Sequence, residues 1–289
     1  MFIELAKVSD IEDIGGFISK LNKERTSHSG YVGFNVNEII NDINENFIVA
    51  DDHLSFVIMR NEQNEMIAAI GLDIDEHSAE VWGPYSATIN VTELKKLWDV
   101  LVQTFFNINT FYFFINKLNL IQQKFLESLG AKNTGEHLIL KISKSDLPIF
   151  HDKFLVPFTL NDREQFAQLH NEAFPNTYYD AQTIVSRRSK HNQLLVLKNE
   201  NSEIQGYAYF EIDTVFEEAS LEYIAISPKF QNQGLGTKLL KEVLQEIFNY
   251  ENINEIRLCV INNNYRANHV YFKAGFNKEN ILISYTLKH

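Results

Sequence analysis

The sequence predicts an α+β protein arranged in three layers. It is read as two tandem copies of one unit, each a mixed, mostly antiparallel sheet flanked by helices. Three observations predict this. The segment Asn119-Leu-Ile-Gln-Gln-Lys-Phe-Leu-Glu-Ser-Leu-Gly-Ala131 returns in outline as Asn264-Tyr-Arg-Ala-Asn-His-Val-Tyr-Phe-Lys-Ala-Gly-Phe276, the Asn moving from 119 to 264 and the Gly from 130 to 275. Two further pairs keep nearly the same displacement and order: Leu97-Trp-Asp-Val-Leu with Leu240-Lys-Glu-Val-Leu, and Ala79-Glu-Val-Trp-Gly-Pro84 with Leu221-Glu-Tyr-Ile-Ala-Ile-Ser-Pro228. Ordered self-similarity at one displacement marks a duplicated unit. Finally, 289 residues of which 45% are hydrophobic can bury the cores of two ordinary domains.

The repeat places the copies at 1–145 and 150–289. Between them, Ser143-Lys-Ser-Asp-Leu-Pro148 has the polar and breaker residues of a linker. In the second copy, Phe154–Phe158 reads as a short strand. A helix begins near Asn161, with Phe166, Leu169 and Phe174 on one face, and Tyr178–Ser189 reads as another. Leu194–Leu197 and Ile204–Glu211 form a hairpin, and Ala219–Ile226 is a strand. Leu235–Phe248 is helical because Leu239, Leu240, Val243, Leu244 and Ile247 recur at the helical period. Glu255–Ile261 (strand), Tyr265–Lys273 (helix) and Ile281–Leu287 (strand) complete the unit.

Composition narrows the function. A formal net charge of −12 argues against general binding of nucleic acid, which needs a basic surface, and is compatible with an amine-bearing substrate. No run of about 18 apolar residues suggests a spanning helix, and Met1-Phe-Ile-Glu-Leu-Ala-Lys lacks the pattern of a signal peptide. A cytoplasmic location without membrane attachment is expected. The single cysteine, Cys259, excludes a disulfide framework and is read as a packed core thiol of its strand. None of the nine histidines has metal-ligand spacing, so no metal is expected.

The chemistry concentrates in Ile224-Ala-Ile-Ser-Pro-Lys-Phe-Gln-Asn-Gln-Gly-Leu-Gly-Thr237, where a strand runs through a glycine-bearing turn into a helix. Such a corner can aim several backbone N–H groups and the positive end of the helix dipole at one anion. Gly234 and Gly236 let the anion approach the backbone. An ordinary strand–helix turn would carry the same two glycines, so the turn alone leaves both readings open.

Together with its surroundings, this segment resembles the GNAT superfamily of N-acyltransferases. Gln231-x-x-Gly234-x-Gly236, after Pro228 and a strand, is similar to that family's pyrophosphate motif, and Asn264-x-x-Ala267-x-x-Val270-Tyr271-x-x-x-Gly275-Phe276 to its later motif. The resemblance covers about Phe154 to His289 well and the first half in outline. It implies an acetyl-CoA-dependent N-acetyltransferase. Ile224, Ala225 and Ile226 would meet the pantetheine and thioester carbonyl. Gln231, Asn232, Gln233, Gly234, Leu235, Gly236 and Thr237 would hold the pyrophosphate, and Asn264 would contact the pantetheine arm. The acceptor, a small-molecule or peptide amine, would attack the thioester directly, with no acyl-enzyme. A non-catalytic acyl-CoA-binding or regulatory protein is the alternative that keeps the turn, and a purely structural pair of domains is a third.

Such a reaction needs a group to take a proton from the ammonium and one to protonate the thiolate. Tyr271 matches the family's acid position and could equally be a packing aromatic. Glu222, which alternation would put on one face with Ile224 and Ile226, is the candidate base. It could instead be structural, since Glu80 stands at the equivalent place in the first copy. His269 could approach the substrate or be a solvated helix residue, and Tyr178 and Tyr179 could shape the acceptor pocket or merely pack.

The first copy departs from the motif. Its strand runs on through Tyr-Ser-Ala-Thr-Ile-Asn-Val-Thr92 with no glycine turn, Ile89 and Val91 are expected to crowd an anion, and Leu126 replaces Tyr271. A degenerate domain without a productive CoA site is expected.

Overall fold

A computed structural model describes residues 1–50, 52–87, 90–148 and 153–288. Contacts divide the chain into two units. One is Met1–Leu138 together with the chain from Asn280 onward, and the other is Ile139–Glu279. The duplication is visible as one order of elements met twice, apart from a three-residue strand, Ile48–Ala50, found only in the first pass. The first pass runs β1 (Phe2–Lys7), α1 (Ile11–Asn22), α2 (Val36–Asn46), β2 (Ile48–Ala50), β3 (His53–Arg60), β4 (Met66–Asp75), β5 (Ser78–Ser86), α3 (Val91–Thr104), β6 (Thr110–Asn116), α4 (Leu120–Leu129) and β7 (Lys132–Ser143). The second runs β8 (Leu155–Pro157), α5 (Arg163–Ala173), α6 (Ala181–Arg187), β9 (Asn192–Lys198), β10 (Ile204–Asp213), β11 (Glu218–Ile226), α7 (Leu235–Phe248), β12 (Glu255–Ile261), α8 (Tyr265–Ala274) and β13 (Asn277–Lys288). Helices α3 and α7 have 14 residues each, and α4 and α8 have 10. Strands β7 and β13 have 12 each. Repeat and compact unit part company at the end of the chain, because β13 from Asn280 pairs with β6 inside the first unit.

In the first unit the sheet runs β1-β3-β4-β5-β6-β13-β7, with β2 on β3. The pairing of β5 with β6 is parallel and holds only from Ser78↔Thr110 to Glu80↔Tyr112, after which the two strands splay. Trp98, Leu94, Leu97 and Leu101 of α3 pack with Phe111, Phe113 and Phe125 in one core. Ile14, Ile18, Ile39 and Ile43 of α1 and α2 pack with Phe47, Phe56 and Trp82 in another. Helices, sheet and helices make three layers.

The second unit has the antiparallel sheet β11-β10-β9-β8. Tyr207, Tyr209, Tyr223 and Ala225 bury against Phe166, Leu169 and Ile184 of α5 and α6. The apolar stripe of α7, including Leu239, Leu240, Val243 and Ile247, is fully buried. Within this helix Glu242 is also buried and accepts hydrogen bonds from the Phe154 and Leu155 N–H groups at 2.9–3.0 Å, which fastens the start of β8 to α7.

Two local expectations are corrected. The helix expected from Tyr178 begins at Ala181, because the Asp180 carboxylate caps the Thr183 N–H at 2.6 Å and leaves Tyr178 and Tyr179 in the preceding loop. Cys259 is not a core thiol: alternation along β12 buries Ile256 and Val260 and turns Arg257 and Cys259 outward. Partial desolvation still pushes its thiol up to about 11, so it remains protonated. Among the described residues, no helix is long and apolar enough to cross a membrane.

Candidate active site

In the second unit β11 ends one sheet while β12 belongs to another, and a cavity of about 530 Å³ opens beside β11 and α8. That volume is in the range of small-molecule sites. Its walls are Ile224, Ala225 and Ile226 of β11, Gln231, Asn232, Gly234, Leu235, Gly236 and Thr237 of the turn and first turn of α7, and Asn264, Val270 and Tyr271 of α8. The structure thus gathers the cofactor-binding and acid–base residues singled out in the sequence, with two exceptions, and leaves Tyr178 and Tyr179 outside the cavity. Gln233 is exposed and does not line the cavity, and neither does Glu222.

The turn is tight and leaves the start of α7 without a side-chain cap. Asn232 and Gly234 both take positive φ, +63° and +79°, which folds the backbone tightly before the helix. Gly234 is the N-cap residue of α7, so no side chain accepts from the first N–H groups of the helix, and the first turn holds no acidic residue. Those donors open on the cavity uncompensated. A Cβ at Gly236 would come no closer than 3.7 Å to Ile226 and Val270, so the glycine answers to the cavity rather than to internal crowding. Gln231 braces the corner: its Nε2 donates to the Ile226 carbonyl and its Oε1 accepts from Arg266, each at 3.0 Å.

Sequence reasoning missed Arg266 and Lys273, which line the cavity on α8. No Asp or Glu is among its lining residues, although the chain carries a net charge of −12. Two cations on one helix beside the expected anion site are a charge pattern readable in the sequence itself. His269 is exposed and also lines the cavity. Asn264 caps α8 by accepting from the Ala267 N–H at 3.2 Å. Tyr271 stacks edge-on against Phe276, with 5.7 Å between ring centroids. Burial holds its phenol above the usual range, so it keeps its proton at neutral pH.

Glu222 departs from the expected alternation because a β-bulge interrupts the pairing with β10, where Tyr209 faces Tyr223 but Phe210 faces Leu221. The carboxylate accepts from the Ser220 hydroxyl and acts electrostatically on the Tyr179 phenol, which lies in the loop between α5 and α6. Tyr178 is 88% exposed in that loop and its ring lies 4.7 Å from that of Tyr179. The Arg187 guanidinium lies over the Tyr179 ring and forms a bidentate pair with Glu211.

The corresponding place in the first unit is filled by the chain itself. Asn90 accepts from the Thr92 and Glu93 N–H groups at the start of α3, and Glu93 reaches back to the Asn90 N–H, a complete capping box. Val91 packs against the core instead of crowding an anion, and Ile89 lies outside the described residues. Gln122, where the second copy has Ala267, is buried and donates to the Pro84 carbonyl at 2.7 Å. Between the splayed strands, His28–Gly30 adds a short strand to β6: the Gly30 N–H donates to the Phe114 carbonyl at 2.6 Å and the Asn116 N–H to the His28 carbonyl at 3.0 Å. A Cβ on Gly30 would lie 2.4–2.5 Å from side-chain atoms of Leu282 and Phe114, so any larger residue would have to displace them. Buried Asn22 holds the segment, accepting from the Ser29 N–H at 2.7 Å and donating to the Val32 carbonyl at 2.7 Å. Leu126 is fully buried in the core.

Residues 163–276 match the model of the Acetyltransferase (GNAT) family. This GNAT-type stretch lies wholly within the second unit. GNAT enzymes use acetyl-CoA and act on amines, so acetyl transfer is the general chemistry of the family. Over 86 residues the chain is 30% identical to the uncharacterized protein YxbD of Bacillus subtilis (strain 168), and it spans about half (51%) of the length of that curated relative. A GCN5-related N-acetyltransferase from Sphaerobacter thermophilus superposes with a TM-score of 0.74 at 13% identity, covering 99% of this chain and 95% of that one. A tandem GNAT protein from the clavulanic acid biosynthesis pathway gives 0.65 at 12% identity, covering 99% and 98%. At such identities the likeness is one of fold, and it extends over nearly the whole chain. Among the described residues, no group of three or more His, Cys, Asp and Glu is placed to hold a metal.

Proposed function

We propose that the second unit transfers an acetyl or other short acyl group from CoA to the amine of a small molecule or peptide. The observation that carries this reading is the uncapped N-terminus of α7 opening on a cavity lined by Arg266 and Lys273 and by no carboxylate. A diphosphate complements this lining, because unpaired N–H donors, helix dipole and both cations favour the same charge.

In this reading the first N–H groups of α7 hold the pyrophosphate, and the edge of β11 at Ile224–Ile226 offers backbone donors and acceptors to the pantetheine and thioester carbonyl. The acceptor amine, once neutral, attacks the thioester carbon; the new C–N bond forms as the C–S bond breaks. Tyr271, a half-buried phenol that stays protonated at neutral pH, gives its proton to the departing thiolate, and the proton then shed by the new amide nitrogen restores the phenol. The proton shed by the attacking ammonium passes toward Glu222, through water, on the side of the Tyr179 loop. The first unit binds no CoA.

The test is thiol release from acetyl-CoA with a panel of primary amines and peptides, alongside calorimetric binding of CoA. Binding with amine-dependent release supports transfer. Binding without release by any acceptor leaves an acyl-CoA-binding protein, and absence of binding removes both readings.

A further inference from the structure

The loop between α5 and α6 is held by unusually costly means. His170 is fully buried. Its Nε2 lies 2.8 Å from the Tyr179 carbonyl, which can only accept, so Nε2 carries the hydrogen. The neutral ring must then accept at Nδ1 from the Tyr207 hydroxyl, 2.6 Å away. A second tie comes from β11. The Tyr223 hydroxyl accepts from the Tyr179 N–H at 3.0 Å and shares a hydrogen bond with the Thr177 hydroxyl at 2.8 Å. The rings of Phe166, Phe174 and Tyr223 surround the imidazole, each with its centroid within 5.8 Å of the imidazole centroid. Three buried or nearly buried polar side chains are thus spent on a stretch of loop whose central residue, Tyr178, points into solvent at 88% exposure.

Tyr223 also fixes where this loop stands. Its ring faces α5 and α6, while its neighbour Ile224 lines the cavity. The loop is therefore anchored one residue from the strand edge that faces the cavity, on the opposite face of β11 from α7.

We propose that His170 and Tyr223 are positioning residues that lock the loop 175–180 in place before any acceptor arrives, so that Tyr178 and Tyr179 form a preset aromatic wall for an amine acceptor. The role of the wall rests on the transfer reading given above; the lock does not. Rigid aromatics lose little conformational entropy on contact, and an ammonium gains from a ring face; Tyr178 offers the exposed one, since Arg187 already lies over the Tyr179 ring. The lock also depends on the protonation of His170. Burial depresses its proton affinity, opposed by its hydrogen bond to the Tyr179 carbonyl and by Asp180. The titratable or charged groups facing it are Tyr207 on β10, Tyr223 on β11, Tyr179 in the loop and Asp180 at the start of α6. Adding a proton at Nδ1 removes the acceptor that the Tyr207 hydroxyl uses.

The experiment is hydrogen exchange on the full chain, followed at the Tyr179 amide. In the wild-type protein this amide is expected to exchange at least ~10-fold more slowly than in Tyr223→Phe, which keeps the ring and deletes the accepting oxygen, while amides of β9 and β10 change little. Lowering the pH from about 8 to about 5, with the intrinsic pH dependence removed, should open the loop in the wild type and have no further effect in His170→Leu, whose loop is already open. Equal exchange in wild type and Tyr223→Phe, or a loop indifferent to pH, overturns the lock. For the wall, the best amine of the acetyl-CoA panel should show a KM raised ~5-fold or more by Tyr223→Phe, with kcat and CoA affinity nearly unchanged. An unchanged KM overturns the wall. If no amine is turned over, the transfer reading and the wall that rests on it fail together, while the exchange measurements still decide the lock.

Discussion

The two copies present the same strand–turn–helix corner and differ in what occupies it. At α7 the N-cap is Gly234, the first turn carries no acid, and Ala267 and Tyr271 stand back to leave a cavity. At α3 the donors are already satisfied by Asn90 and Glu93, and Gln122 and the His28–Gly30 segment fill the place between the splayed strands. The two corners thus share a fold and differ in unmet hydrogen bonds, which are what our proposal makes the binding site. A helix terminus that caps itself contributes to stability, whereas one left uncapped keeps its donors for a ligand. Loop length supports the same division. Residues 23–35 join α1 to α2, enough chain to reach β6, whereas only 174–180 join α5 to α6, and these are tied to Tyr223 and His170 instead.

Giving the second copy the features of the first should break its function in graded steps. Tyr271→Phe, a smaller change than the Leu126 found in the first copy, should lower kcat with the best amine ~10²–10⁴-fold while leaving CoA affinity within about threefold. A kcat within about threefold of wild type would remove Tyr271 as the acid. Gly236→Trp should weaken CoA binding by at least ~100-fold, about 2.7 kcal/mol. Because the Cβ itself finds ordinary contacts, the protein should still fold, as circular dichroism can check. Thr237→Glu, which installs at the third position of α7 the acid that Glu93 supplies to α3, should weaken CoA binding ~10-fold or more, yet leave the helix equally or slightly more stable, by up to ~1 kcal/mol. Stronger CoA binding by this variant would refute the anion site.

The smallest expected effect is on stability against pH. His170 has its folded-state proton affinity lowered by burial. Its contribution is full above the ordinary histidine range, near pH 6.5, and is lost as the pH falls through that range toward its lower folded value, because the unfolded chain then binds more protons. Asp162, bound to Lys198 and to the Thr159 N–H and hydroxyl, and Glu211, bound to Arg187 and Tyr209, are held below the usual carboxylate range. Their contribution is present above about pH 4 and lost below it. Thermal melts should therefore decline in two stages on acidification, with the first smaller in His170→Leu, where His137, also held below the usual histidine range by burial, still contributes. A wild-type melting temperature constant from about pH 7 to about pH 5 would contradict the first stage.

Much of this was legible in the sequence because it depends on local pattern. The displacement of Asn119 to Asn264 and Gly130 to Gly275 marks two helices that prove to share length, N-cap and left-handed C-cap. The Gln231–Thr237 turn was legible because glycines must stand where φ is positive or where backbone must be approached. The capping box at Asn90 and Glu93 is equally local, and it, rather than crowding by Val91, closes the first corner. Other features depend on contacts distant in sequence. The bulge that takes Glu222 off the cavity face depends on pairing with β10, the anchoring of Tyr179 on Tyr223 spans 44 residues, and Ser29 bonds to Phe114 across 85. Outward Cys259 reflects which face of β12 is covered, which an apolar run does not reveal. The placement of β13 beside β6 is likewise a tertiary choice, invisible in a repeat that treats both ends alike.

The central claim is that one corner is open and its duplicate is closed by the chain itself. Titration calorimetry of CoA into the full chain tests it most directly. A single site per chain, abolished by Gly236→Trp and unaffected by Gln122→Ala, is the predicted result; two sites, or one site that survives Gly236→Trp, would contradict it.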